Sequence, residues 1–291
     1  MNISHYKRLL IKKFKALKIL FFPLYKKDDV IRLEKSTGGK GFFAVMNGIL
    51  GAIHEVDKGN LGGIAFEFTD GLYADKKGDN WLNYYFKFKN LPQIHHSKSK
   101  VKVFDDIPVG FHHLTRKTDR EENFRILQKY IEIDLEILKE ADVVSRNFKN
   151  TYTIGIHYRG TDKFTEAKPA TYEQVLEHVL KETKKAGRQD FQLFIATDEH
   201  PFLDFMRREF GDRVIYLENT ERSYDNMPVH HKQRTKKKPS LLGREALIDA
   251  LVLSNTQLLI RTSSNLSLWS TYFNPDLKVV LVNNRFGSST E

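Results

Sequence analysis

The second half of the chain alternates between short apolar runs and longer stretches whose apolar residues recur three and four apart. The short runs 153–158, 191–197, 213–217, 257–261 and 278–282 predict strands. Between them, 171–186, 201–210, 242–254 and 265–273 carry helical spacing. Apolar strands separated by amphipathic helices predict a parallel sheet covered on both faces, a Rossmann-like domain. The first half is less regular. Strands are expected at 30–34 and 64–68, and a helix at 42–58 after the turn Gly38-Gly39-Lys40-Gly41. A single long amphipathic helix is expected over 121–148, with Phe124, Leu127, Ile131, Leu135 and Leu138 on its stripe. These elements divide the chain into a basic N-terminal helix at 1–27, an α/β domain at 28–149 and the Rossmann-like domain at 150–291. The stretch 219–240 reads as a long loop, basic over 231–238.

Composition narrows the chemistry. The 291 residues are 40% hydrophobic and contain no cysteine, which excludes disulfides, thiol nucleophiles and thiolate metal sites. It also favours a reducing, cytoplasmic setting. The net charge is +10, but residues 1–27 hold eight Lys and Arg and no acid, so they supply most of it. The body is nearly neutral, and no nucleic-acid partner is expected. Ile3, Tyr6, Leu10, Phe14, Leu17 and Phe21 share one helical stripe opposite the basic residues. That pattern suits either peripheral contact with an anionic membrane surface or docking on the body. The apolar run 19–25 is broken by Pro23 and is too short to cross a bilayer. Lysines interrupt any signal-like stretch.

The candidate chemistry clusters at predicted strand ends. His157-Tyr158-Arg159-Gly160-Thr161-Asp162-Lys163 follows the first strand of the second domain, and Glu166 lies just beyond. Arg159 offers a planar fork of donors that matches a phosphate. Glu166 has two readings, a base for an acceptor hydroxyl or a surface or capping residue. Asp198, in Ala196-Thr197-Asp198-Glu199, either holds a ribose or base or caps the next helix, and spacing favours the cap. Arg261-Thr262-Ser263-Ser264-Asn265 ends a strand and opens a helix, which suits either an anion or a plain Ser cap. Gly41 with Asn47 marks a weaker candidate for close backbone approach to a ligand. Asp-x-Asp, His-Glu-x-x-His and Gly-x-Ser-x-Gly are absent, and no metal site is expected. The doublets His95-His96, His112-His113 and His230-His231 have adjacent spacing that does not put both rings on one ligand.

Taken in order, these segments resemble the fucosyltransferase superfamily, above all the α-1,6-fucosyltransferases and the rhizobial nodulation fucosyltransferases. The 157–163 segment is similar to the family's His-x-Arg-Arg-Thr-Asp-Lys motif, with Thr165-Glu166-Ala167 after it. Ala196-Thr197-Asp198 resembles the second motif. Leu247-Ile248-Asp249, Leu253-Ser254 and Thr262-Ser263-Ser264 resemble the third. The resemblance implies an α/β, GT-B-like fold of two Rossmann-like domains with the donor cleft between them. It implies GDP-fucose or a related GDP-sugar as donor, inversion at the anomeric carbon, no cofactor and no metal. It places His157 and Asp249 on the guanine, Arg159 on the β-phosphate, Ser263 and Ser264 on the diphosphate, and Glu166 as base beside Lys163. Gly160 departs from the family's second Arg, and the segment from Lys163 to Glu166 is one residue shorter. A glycan or glycolipid acceptor is expected, of unspecified identity. A non-catalytic nucleotide- or polyanion-binding protein of the same fold is the alternative.

Overall fold

The computed structural model describes residues 30–34, 40–69, 71–92, 100–103, 119–160, 169–224 and 237–283. The basic helix expected at 1–27, Lys163, Glu166 and the three histidine doublets lie outside them. The chain forms two compact units, residues 1–132 and 133–291.

The first unit runs through β1 (Val30–Glu34), α1 (Phe42–Asp57), β2 (Gly63–Glu67), β3 (Phe86–Phe88), β4 (Lys100–Val103) and α2 (Arg120–Tyr130), and β5 (Ile131–Ile133) crosses its end. Three strands make a parallel sheet in the order β2-β1-β4, and β3 pairs with β5. Helix α1 is buried on nearly every side from Phe42 to Glu55, as a run with no continuous polar stripe must be. Phe42, Tyr73, Trp81, Tyr85 and Phe86 form its aromatic core, with ring centroids 5.1 Å apart for Phe42 and Tyr85. The α1–α2 contact carries an ion cluster. Asp57 accepts hydrogen bonds from Arg125 (2.5 Å), Lys129 (2.7 Å) and Tyr130 (2.9 Å).

The long helix expected over 121–148 is two helices. α2 stops at Tyr130 because Ile131-Glu132-Ile133 turns extended, a conformation that β-branched residues favour. The 89–90 turn takes the last carbonyls: Lys89 N–H donates to Tyr130 O (2.9 Å), and Asn90 Nδ2 to Lys129 O (2.7 Å). Asp134 then caps the new helix α3 (Leu135–Ser145), accepting from Glu136 N–H at 3.0 Å. The division between the two compact units falls at 132/133, before α3.

The second unit continues through β6 (Tyr152–Tyr158), α4 (Tyr172–Ala186), β7 (Phe191–Thr197), α5 (His200–Phe210), β8 (Val214–Ile215), α6 (Pro239–Ser254), β9 (Leu258–Arg261), α7 (Asn265–Phe273) and β10 (Lys278–Leu281). All five strands are parallel, in the order β10-β9-β6-β7-β8. This is the doubly wound order, and its direction reverses between β6 and β9. α4 is bounded by local chemistry: a capping box of Thr171 and Gln174 opens it, and Gly187 at φ 62° closes it.

The alternation of β6 sorts its side chains by face. Ile154, Ile156 and Tyr158 pack with Val175, Val179, Phe202 and Met206 from α4 and α5. Gly155 faces the other way, against the turn after α6. A Cβ there would lie 2.8 Å from Thr256 Oγ1 and 2.9 Å from a Leu253 methyl, so the close approach requires glycine. His157 shares that face. Helix α6 is buried continuously from Leu247 to Ser254, and it carries Asp249 on the same side of the sheet.

Candidate functional site

The carboxyl ends of β6 and β9 meet where an open α/β sheet leaves a crevice. His157 pairs with Arg261 in register. Just beyond, Thr262 N–H donates to His157 O (2.9 Å), and Arg159 N–H donates to Thr262 Oγ1 (3.0 Å). Two motifs a hundred residues apart are thus stitched backbone to backbone, and Arg159 is held beside the start of α7. Ser264 is the cap of α7, its hydroxyl accepting from Leu266 N–H (3.3 Å). The Ser263 N–H donates to Asn283 Oδ1 (2.8 Å). The buried Arg261 guanidinium donates to Ser264 O and Ser267 Oγ, which stiffens the same turn. It is the Arg159 backbone that this turn holds, and a helix N-terminus at the same sheet edge as an arginine favours a bound anion.

Asp198 does not cap α5. Glu199 stands at the cap position, and it makes no side-chain cap bond either. The Asp198 carboxylate lies instead 3.8 Å from Arg159 Nε, with the two side chains 18% and 25% exposed. The end of β7 therefore turns toward Arg159, because Glu199 N–H is taken by Thr197 Oγ1 (3.1 Å) and Asp198 O by Ser223 N–H (2.8 Å).

Glu199, which sequence reasoning missed, is buried beside Arg159 and Gly160. Its Oε2 accepts from the Tyr172 hydroxyl at 2.8 Å. Burial pushes its pKa up, the Tyr172 hydrogen bond opposes this, and Asp198 adds to it. A Cβ on Gly160 would fall 2.0 Å from Glu199 Oε1. The glycine that departs from the resembled motif thus has a local reason: the space where a side chain would begin is occupied by a carboxyl group.

Asp249 is 5% exposed, and its Oδ1 makes no hydrogen bond among the described residues. Burial pushes its pKa up to about 7, against the opposing charge of Arg222. Arg222 was not expected to matter. It is itself desolvated, which lowers its pKa, and its Nε is buried with no acceptor.

His157, Arg159, Asp198, Asp249, Ser263 and Ser264 all belong to the second unit, at the sheet's carboxyl edge or on α6. Asn47 is buried in the second turn of α1, in the first unit. Gly41 opens α1 with no side-chain cap and open space around its missing Cβ, while the Phe42 N–H donates to the Tyr73 hydroxyl (2.6 Å). Among the described residues, no helix is long and apolar enough to cross a membrane, and no group of three His, Asp or Glu is placed to hold a metal ion.

No protein-family model matches the chain, and no curated protein sequence does. Solved structures do match. NodZ α-1,6-fucosyltransferase soaked with GDP-fucose superposes at a TM-score of 0.53 and 15% identity, covering 85% of this chain and 93% of its own. The fucosyltransferase NodZ from Bradyrhizobium gives 0.54 and 14%, covering 86% and 92%. At this identity the likeness is one of fold: the chain has an α/β, GT-B-like, fucosyltransferase-like fold.

Proposed function

We propose that the chain is a glycosyltransferase that moves fucose from GDP-fucose to a glycan or glycolipid hydroxyl, with inversion and without a metal ion. The observation that carries this reading is the bond that seats the Arg159 backbone on Thr262, just before the start of α7 and at the switch point of a doubly wound sheet. That is where an anionic leaving group would be received. The structural neighbour with the same fold was solved with GDP-fucose, and Asp-x-Asp is missing from the sequence.

In this mechanism the acceptor oxygen attacks the anomeric carbon as the bond to the β-phosphate oxygen breaks. GDP leaves with the bonding pair. Arg159 and the N-terminus of α7 stabilise the charge that develops on the diphosphate. Asp198 lies 3.8 Å from the guanidinium Nε and helps orient Arg159. His157 and Asp249 receive the guanine. Ser263 and Ser264 line the diphosphate. Glu166 takes the acceptor proton, with Lys163 beside it.

Replacing Arg159 by Ala is expected to lower the rate of sugar transfer about 100- to 1000-fold, the range for losing one donor to a developing anion. Glu166→Gln is expected to lower kcat without changing GDP affinity. Transfer at the wild-type rate by both variants would contradict the mechanism.

A second reading is supported by Glu199. Where the resembled motif has a second Arg, this chain sets a carboxyl group beside Gly160, which reduces the positive charge around a diphosphate. On that reading the protein binds a GDP-sugar without turning it over. GDP binding with no donor consumption in the presence of any glycan acceptor would favour it.

A further inference from the structure

The turn after β8 is clamped around Arg222. On one side, Glu221 N–H donates to Glu245 Oε2 (3.3 Å), and Lys237 pairs with the same Glu245 (2.5 Å). On the other side, Ser223 N–H donates to Asp198 O (2.8 Å) and Ser223 O accepts from His200 N–H (2.9 Å). Glu245 and Asp249 are four residues apart on α6 and therefore share a face. Arg222 is thereby fixed between the end of β7 and the α6 face that bears Asp249, and its charge acts on the Asp249 carboxyl.

Its own contacts set its orientation. Nη1 donates to Thr220 O (3.1 Å), Nη2 donates to Leu217 O (2.9 Å), and the guanidinium lies 5.3 Å over the Tyr216 ring. Among the described residues two of its five N–H donors are used, and the buried Nε has no acceptor. Thr220 Oγ1, in the same turn, is also buried without a partner. Buried donors and acceptors left unpaired this way are destabilising, so a cluster of them points to a ligand.

We infer that Arg222 and Asp249 together read the base of the nucleotide, with Arg222 as a specificity-determining residue that donates to the base's carbonyl oxygen. This rests on the GDP-sugar reading above. A carboxylate accepts from adjacent N–H groups, and a guanidinium donates to a carbonyl beside them. Guanine presents that sequence, O6 then N1–H then the 2-amino group, along one edge. Uracil replaces the 2-amino donor with a second carbonyl, which the carboxylate repels. 6-Thioguanine keeps N1–H and the 2-amino group for the carboxylate and replaces O6 with sulfur, a much weaker acceptor for the guanidinium.

The test is calorimetric titration of the full chain with GDP, UDP and 6-thio-GDP. Wild type is expected to bind GDP about 10-fold more tightly than 6-thio-GDP, the scale of one charge-assisted hydrogen bond. Arg222→Met is expected to lose that preference while binding 6-thio-GDP about as well as wild type does. Arg222→Lys, which keeps the cation beside Asp249, is expected to retain part of it and to melt with wild type. Three results would overturn the inference. One is equal binding of the two purine nucleotides by wild type. Another is an unchanged preference in Arg222→Met. The third is a uniform loss of both nucleotides in Arg222→Met and Arg222→Lys alike, which is the signature of a purely structural ion pair. Failure of wild type to bind GDP at all would instead remove the donor reading on which the inference rests.

Discussion

Asp57 in the first unit and Asp249 in the second are both carboxylates on long buried helices, yet they stand at opposite extremes. Asp57 accepts from Arg125, Lys129 and Tyr130, and the Arg125 bond, the largest of these effects, holds its pKa well below the usual carboxylate range. Asp249 has a nearby cation but an Oδ1 with no donor, and burial raises its pKa to about 7. Glu199 lies between them, with one neutral partner in Tyr172 and a pKa raised by burial. A carboxylate whose acceptor positions are filled from its own chain ties two helices together. One that is desolvated and left open costs stability and is retained where something else completes it. Magnitude separates the two roles where burial alone does not.

The sharpest way to break the comparison is to neutralise each carboxylate. Asp249→Asn is expected to weaken GDP binding about 10- to 100-fold, the loss of a charge-assisted pair of hydrogen bonds, while leaving the melting temperature unchanged or higher. Asp57→Asn is expected to do the reverse: GDP affinity within about twofold of wild type and stability lower by about 1–2 kcal/mol. That figure is discounted because Arg125 and Lys129 are about half exposed to screening water. Calorimetric titration and denaturant unfolding on the same preparations decide it.

Proton linkage should separate them next. The folded pKa of Asp249 lies above its unfolded value of 3.8, so the folded state holds a proton that the unfolded chain releases. Its contribution therefore falls as pH rises from about 4 to about 7, whereas ionisation through the same window is expected to strengthen GDP binding. Asp249→Asn should remove that part of the pH dependence of binding. Asp57 has a depressed pKa, so its contribution is present above about pH 4 and is lost as pH falls below that value. Asp57→Asn should flatten the acid limb of the stability curve and leave the neutral limb alone.

The smallest effect belongs to Glu199. Tyr172→Phe removes its hydroxyl partner and is expected to lower stability by about 1 kcal/mol, the net value of one hydrogen bond. Gly160→Ala should cost a similar amount by displacing the same carboxyl group, and the Tyr172→Phe, Gly160→Ala double variant should cost less than the sum of the two.

Much of the sheet was readable from pattern because its strands are apolar throughout and bounded by caps. Phe191–Thr197 and Asn265–Phe273 were placed residue for residue. The split of 121–148 was not readable, because Ile131, Leu135 and Leu138 continue the helical stripe across the Asp134 cap. The three-residue strands Phe86–Phe88 and Ile131–Ile133 are too short to show a period. In the candidate site, Arg159 stood out as a cation at a predicted strand end, whereas Asp249 entered only through the resemblance to the fucosyltransferase superfamily. Asp198 was misread as a cap because a carboxylate before a helix with Pro in its first turn is ordinarily one. Arg222 and Glu199 carried no local signal at all. What marks them is a hydrogen bond not made by one and a space filled by the other, and both properties exist only in the folded chain.

The central claim is that the open polar groups at the carboxyl edge of the second unit's sheet complete themselves on a GDP-sugar. A crystal structure of the protein with GDP tests it most directly. The account predicts guanine against Asp249 and Arg222, with the diphosphate between Arg159 and the start of α7 at Ser264. GDP bound elsewhere on the chain, or bound with Asp249 Oδ1 and Arg222 Nε still unpaired, would contradict it.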